Sequence, residues 1–180
     1  MVSADEILWS YDLMELPQGW THEGFTFDSS GASTYIYDWH FGSTRSITNW
    51  LQSSEIIIPS GCDSLVINVS QHAIIQIYAD GSGHGTVELK AKVNSSWHTV
   101  WIRELSCYGT SDTLNDSTVI HETVPGIQAG DIVQFRFEAT GNAVWYSDVY
   151  VWWWLWDASL TAYGEISLEQ CTWAEIKSAM

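Results

Sequence analysis

The chain has 180 residues, enough for one domain with a substantial core. Hydrophobic residues make up 46% of it, so it is not a disordered chain, and no apolar run reaches the ~18 residues that span a bilayer. Six basic residues against 22 acidic ones leave a formal charge of −16, which argues against nucleic acid or anionic membrane as partner, because both are held through Lys and Arg.

Short alternating segments between turn residues run through nearly the whole length, and this pattern predicts an all-β sandwich. In chain order the expected strands are Ile7–Leu13, Gly24–Phe27, Thr34–Phe41, Glu55–Ile58, Leu65–Val69 and Ile74–Ala79. They continue with Thr86–Val93, His98–Leu105, Thr118–Val124, Ile132–Ala139, Trp145–Trp156 and Ser159–Ser167. Pro17–Gly19, Pro59–Gly61, Asp80–Gly83, Asn94–Ser96 and Pro125–Gly126 supply turn chemistry between them. Thr172–Ala179 alone reads as helical, which divides the chain into a sandwich over 1–170 and a tail over 171–180.

Alternation also assigns faces. Leu65, Ile67 and Val69 share one side of a strand; Val133, Phe135 and Phe137 oppose Gln134, Arg136 and Glu138; Val87, Leu89, Ala91 and Val93 oppose Glu88, Lys90 and Lys92. Strands with one wet face belong to antiparallel sheets.

Four local motifs occur in a telling order: Leu16-Pro-Gln-Gly-Trp20, Leu51 to Gly61 with its Ile-Ile-Ile-Pro, Gly126 to Phe137 with Ala-Gly-Asp, and Trp145-Tyr-Ser-Asp-Val-Tyr-Val151. Together they resemble the MAM and laminin-G-like jelly-roll superfamily, found in secreted bacterial proteins and carbohydrate-binding modules. Two departures stand out. Ser54 occupies a position where the family has Pro, and the family's paired acids near the last strand are reduced to Asp148. The ending Thr172-Trp-Ala-Glu-Ile-Lys177 is similar to tails on bacterial extracellular proteins, with Ala174 for the usual Gly. The resemblance implies a two-sheet antiparallel jelly roll, secreted, with any signal peptide absent from this chain. It also implies a structural calcium, for which Asp12 or Glu15 with Asp148 would be the counterparts. Hard Ca²⁺ takes six to eight oxygens, and these residues supply fewer.

Twelve Trp and eight Tyr concentrate the chemistry in aromatic rings. In a strand of period two, Tyr150, Trp152, Trp154 and Trp156 project from one face, and Val149, Val151, Trp153 and Leu155 from the other. A second comb, Tyr35, Tyr37, Trp39 and Phe41, alternates with Ile36, Asp38 and His40. With the aliphatic side inward, the aromatic side forms a row at about 7 Å spacing, on which successive pyranose rings could lie. Asp38, Asp148 and Asp157 are the acids placed to take sugar hydroxyls. Three readings stay open: a platform for a neutral glycan, an interface for adhesion or self-assembly, and simple burial within the monomer.

Catalysis is not expected. No HExxH, GxSxG elbow or cysteine-protease context is present, and nothing beyond the calcium just named is expected as a cofactor. Of three cysteines, Cys62, Cys107 and Cys171, a Cys62–Cys107 bridge would tie two strand ends; all three reduced is the other possibility. The function expected is that of a non-catalytic extracellular module binding carbohydrate by aromatic stacking, or alternatively a self-assembling subunit.

Overall fold

The computed structural model describes residues 4–40 and 45–164. The described residues form thirteen strands and no helix. The expected tail helix, Cys171 and the end of the second comb at Phe41 lie outside them.

Two antiparallel sheets face each other. One carries β1 (Ala4–Tyr11), β3 (Phe25–Asp28), β4 (Gly31–His40), β7 (Cys62–Ala79), β10 (Asp112–Asp116), β11 (Val119–Thr123) and β13 (Ser147–Gly164). Its central order is β10-β7-β13-β4-β3, with β1 beside the second half of β13 and β11 beside the first half of β7. The other sheet has β2 (Thr21–Glu23), β5 (Arg45–Gln52), β6 (Ile56–Ile57), β8 (Ser82–Val93), β9 (Ser96–Tyr108) and β12 (Ile132–Val144). Its order is β2-β5-β12-β8-β9, with β6 on β12. This is a β-sandwich, as the alternation predicts.

The main departure from expectation is length. β7 and β13 are single 18-residue strands where two separate pieces each are expected. In β7 the polar run Ser70-Gln-His72 reads as a break, yet Gln71 is buried and fully used. It accepts from Trp153 Nε1 at 3.1 Å and donates to the Thr118 carbonyl at 3.0 Å. In β13 the register shifts between Leu155 and Asp157. That bulge moves the inward set from Val149, Val151, Trp153 and Leu155 to Ala158, Leu160 and Ala162, so the strand passes on without exposing its core side.

Inside, the second sheet is graded along its strands. The paired positions Gly83–Ala143, Gly85–Gly141 and Val87–Ala139 give way to Leu89–Phe137 and Ala91–Phe135. At the small end the missing side chains let the sheets close up. A methyl added at Gly85 would come within 2.5 Å of Ile75 Cγ2, and one at Gly141 within 2.8 Å of Ile36 Cγ2. At the large end Trp9, Trp20, Phe135, Phe137 and Trp153 pack in edge and offset contacts with centroids 5.4–6.2 Å apart. The Trp20 of the Leu-Pro-Gln-Gly-Trp motif is part of this cluster and is buried.

Cys62 and Cys107 are free, buried thiols. The expected bridge does not form, because Cys62 opens β7 while Cys107 pairs with Gly83, beyond the far end of that strand. Ile77, whose side chain abuts Gly83, lies fifteen positions along β7 from Cys62, a run of about 50 Å; a disulfide needs Cα atoms within about 7 Å.

Candidate functional site

The register of β13 with its neighbours assembles the two aromatic combs into one surface. Tyr37 pairs with Tyr150, Tyr35 with Trp152, Trp39 with Asp148 and Ser33 with Trp154. On the other side β7 sets Tyr78 beside Asp148, Gln76 beside Tyr150, Ile74 beside Trp152 and His72 beside Trp154. Paired residues in a sheet share a face, so β4, β13 and β7 present these side chains together on the outside of the sandwich. Tyr35, Tyr37, Trp39, Tyr78 and Trp156 are exposed; Tyr150, Trp152 and Trp154 are half-buried among them.

The rings are not the evenly spaced row that strand geometry alone predicts. Tyr150 and Trp152 lean together, with centroids 5.4 Å apart and planes 7° from parallel. Tyr37 stacks on Tyr150 at 4.7 Å and Tyr35 on Trp152 at 5.3 Å. These four rings form a continuous block with shared faces and no room for a ligand ring between neighbours. Tyr78 closes its flank, edge-on to Tyr150 at 5.9 Å. Trp154 stands outside the block, tilted against His72 at 5.3 Å, and His72 is itself fixed by Asn115 at 2.9 Å. Trp156 sits at the β13 bulge.

Among the described residues, one carboxylate lies within this surface. Asp148 is half-buried between Trp39 and Tyr78; Tyr37 hydrogen-bonds to it, while its Oδ1 is buried with no partner. Burial raises its pKa above the ordinary carboxylate value, and the Tyr37 hydrogen bond only partly opposes this. Burial also raises Tyr150, assisted by Tyr37, Asp148 and Tyr78, and raises Tyr35. Both phenols stay neutral donors well into the alkaline range.

The other expected acids are elsewhere. Asp38 points inward, is buried, and accepts from the Ala143 N–H at 2.9 Å across the sandwich. Asp157 is exposed beyond the bulge. The expected calcium set is not brought together. Asp12 and Glu15 follow β1, whose last residue Tyr11 pairs with Ala158, ten strand positions or about 30 Å from Asp148. Among the described residues no group of three or more His, Cys, Asp or Glu could hold a metal ion.

Two features escaped sequence reasoning. Tyr78 was legible in principle, since Ile74, Gln76 and Tyr78 alternate with the buried Ile75 and Ile77. The Trp145–Tyr146 pair was not. Instead of starting a strand, it is the tight turn joining β12 to β13, with φ of 48° and 56°. Bulky residues rarely adopt left-handed backbone, and turns of this kind ordinarily carry Asn-Gly.

No family model matches the chain, and no curated protein matches it. Among solved structures, it is similar to a carbohydrate-binding module described for specific mannan recognition, at 9% identity and TM-score 0.42, covering 90% of this chain and 99% of that one. It is also similar to a module solved in complex with β-1,4-galactotriose, at 12% identity and TM-score 0.30, covering 88% and 86%.

Proposed function

We propose that the chain is a non-catalytic, extracellular binding module whose outer β4–β13–β7 face takes a neutral glycan. The observation that carries this reading is the Asp148 carboxylate set among exposed rings with a buried, unpartnered Oδ1. A buried acceptor without a donor is costly, and a sugar hydroxyl is a donor that arrives with an apolar C–H face for the neighbouring rings. The stacked block of Tyr35, Tyr37, Tyr150 and Trp152 serves as a rigid floor, and Trp39, Trp154 and Trp156 offer the contacts to the ligand. A neutral ligand also suits a chain of charge −16, so binding should be nearly independent of salt.

The test is a titration of neutral polysaccharides and their oligomers against the protein, repeated with Trp154→Ala and Asp148→Ala. Each substitution should weaken binding about tenfold or more. Unchanged binding by Trp154→Ala would reject the mechanism.

A second reading, self-association, is favoured by one specific observation. At the end of the sandwich, Tyr108, Trp145 and Tyr146 are exposed, with Tyr108 at 85%. Exposed aromatic patches of this kind commonly mark contact surfaces. Concentration-dependent light scattering separates the two, since a glycan module remains monomeric as concentration rises and an assembling subunit does not.

A further inference from the structure

The opposite outer face, on the second sheet, carries a site of different chemistry. The chain has six basic residues, and three of them, Lys90, Lys92 and Arg136, meet there on adjacent strands. Arg136 pairs with Lys90, and Lys92 lies one step further along, opposite Trp97 of β9. The Arg136 guanidinium is held between two indoles, 4.8 Å from the Trp50 ring centroid and 5.6 Å from that of Trp97. Beside it is a cleft of about 190 Å³ lined by Lys90, Trp97, His98, Thr99 and Arg136.

The acids within reach do not exhaust these cations. Glu88 and Glu138 hold Lys90 Nζ at 2.6 and 2.8 Å, and Glu138 reaches Arg136 Nη1 at 3.5 Å. Arg136 Nε remains buried without an acceptor. Glu23, which takes the Trp50 indole N–H at 3.2 Å, brings the carboxylates of this cluster, among the described residues, to three against three cations, so what stays open is the Arg136 guanidinium, whose Nε lacks an acceptor, and not a net positive charge. The aromatic Trp97 wall is exposed and offers a flat face next to that charge. A guanidinium in this setting selects a planar anion that can accept from it, a carboxylate above all. The volume lies below the ~300 Å³ of ordinary drug-sized sites, so it fits one ring and not a chain of them.

We infer that this cleft binds a single carboxylate-bearing sugar, a uronate residue, with its acid group on Arg136 and Lys90 and its ring against Trp97. The site is independent of the glycan surface on the other sheet, and either can fail without the other. At physiological ionic strength the net negative charge of the molecule is screened beyond about 8 Å, so a local pair of cations can still govern an acidic ligand.

The experiment is calorimetric titration of the intact protein with trigalacturonate, with neutral galactotriose and with acetate. Trigalacturonate should bind, and its affinity should fall as NaCl is raised. Arg136→Gln should weaken it at least about tenfold, as should Thr99→Phe, which fills the cleft from an exposed edge position and leaves the core alone. Trp154→Ala, on the opposite face, should leave the Arg136-dependent affinity for trigalacturonate unchanged, whatever it does to galactotriose. The inference is overturned if trigalacturonate does not bind, or if Thr99→Phe binds it as the unmodified protein does. Galactotriose binding equally well in a manner sensitive to Arg136→Gln overturns the charge assignment. Acetate binding as tightly as trigalacturonate overturns the assignment to a sugar.

Discussion

Gln71 shows how much a single buried polar residue organises. It receives the Trp153 indole N–H and donates toward the Asp116 and Thr118 carbonyls, while Asp116 is ion-paired with Arg103, whose guanidinium lies 4.9 Å from the Trp101 ring. The line runs from the core of β13 to β9 in the other sheet. Gln71→Leu keeps the volume but strands the indole N–H and the carbonyls, so it should cost about 2–4 kcal/mol in urea unfolding. Asp116 and Asp148 respond to pH in opposite senses. Burial alone would raise Asp116, yet the Thr118 and Arg103 hydrogen bonds and the Arg103 charge outweigh it and lower its pKa. Its contribution is therefore complete above the ordinary value of 3.8 and is lost as pH falls through the lower folded value. Asp148, raised by burial, favours the folded state below 3.8 and loses that contribution as pH rises through its raised folded value. Acid titration of unfolding free energy should accordingly show Asp116→Asn flattening the loss of stability at low pH, and Asp148→Asn raising stability at neutral pH.

At the scale of elements, the sequence reading succeeds where alternation is unbroken and fails where a turn or a bulge lacks its usual residues. β8, β12 and the first half of β13 carry strict two-residue periodicity, and their inward and outward sets are the ones expected. β5 was not foreseen because its residues are polar on both sides, with Leu51 its one fully buried side chain. The pairing of the two combs across β4 and β13 is a matter of long-range register, which no local pattern carries; the inward turn of Asp38, by contrast, follows from its alternation with Tyr35, Tyr37 and Trp39. The Trp145–Tyr146 turn hid among strand-forming residues. Its backbone is the one Asn-Gly adopts without strain, so replacing the pair by Asn-Gly should stabilise the protein by about 1–3 kcal/mol. If that gain in thermal unfolding is accompanied by a loss of self-association, the strain is kept for that contact; if stability falls, the aromatic pair instead contributes packing.

For the molecule as a whole, the two described thiols act as reporters of integrity. Both are buried, and burial raises the pKa of each, which suppresses the reactive thiolate. In a Cys171→Ser background, modification by a thiol reagent should be slow and should track global unfolding through the urea transition. Reducing agents should leave the unfolding temperature unchanged. Rapid modification under native conditions would show that one end of the sandwich opens locally.

The graded interior has a further consequence for how such a chain can change over time. Where glycines face Ile75, Ile77 and Ile36, every replacement adds atoms to filled space; around Trp153 and Phe137, nearly every replacement takes atoms away and leaves a void. One extremity refuses growth and the other refuses loss, so accepted variation is driven outward onto the two solvent faces. Those are the faces on which new recognition chemistry can be tried while the interior stays as it is.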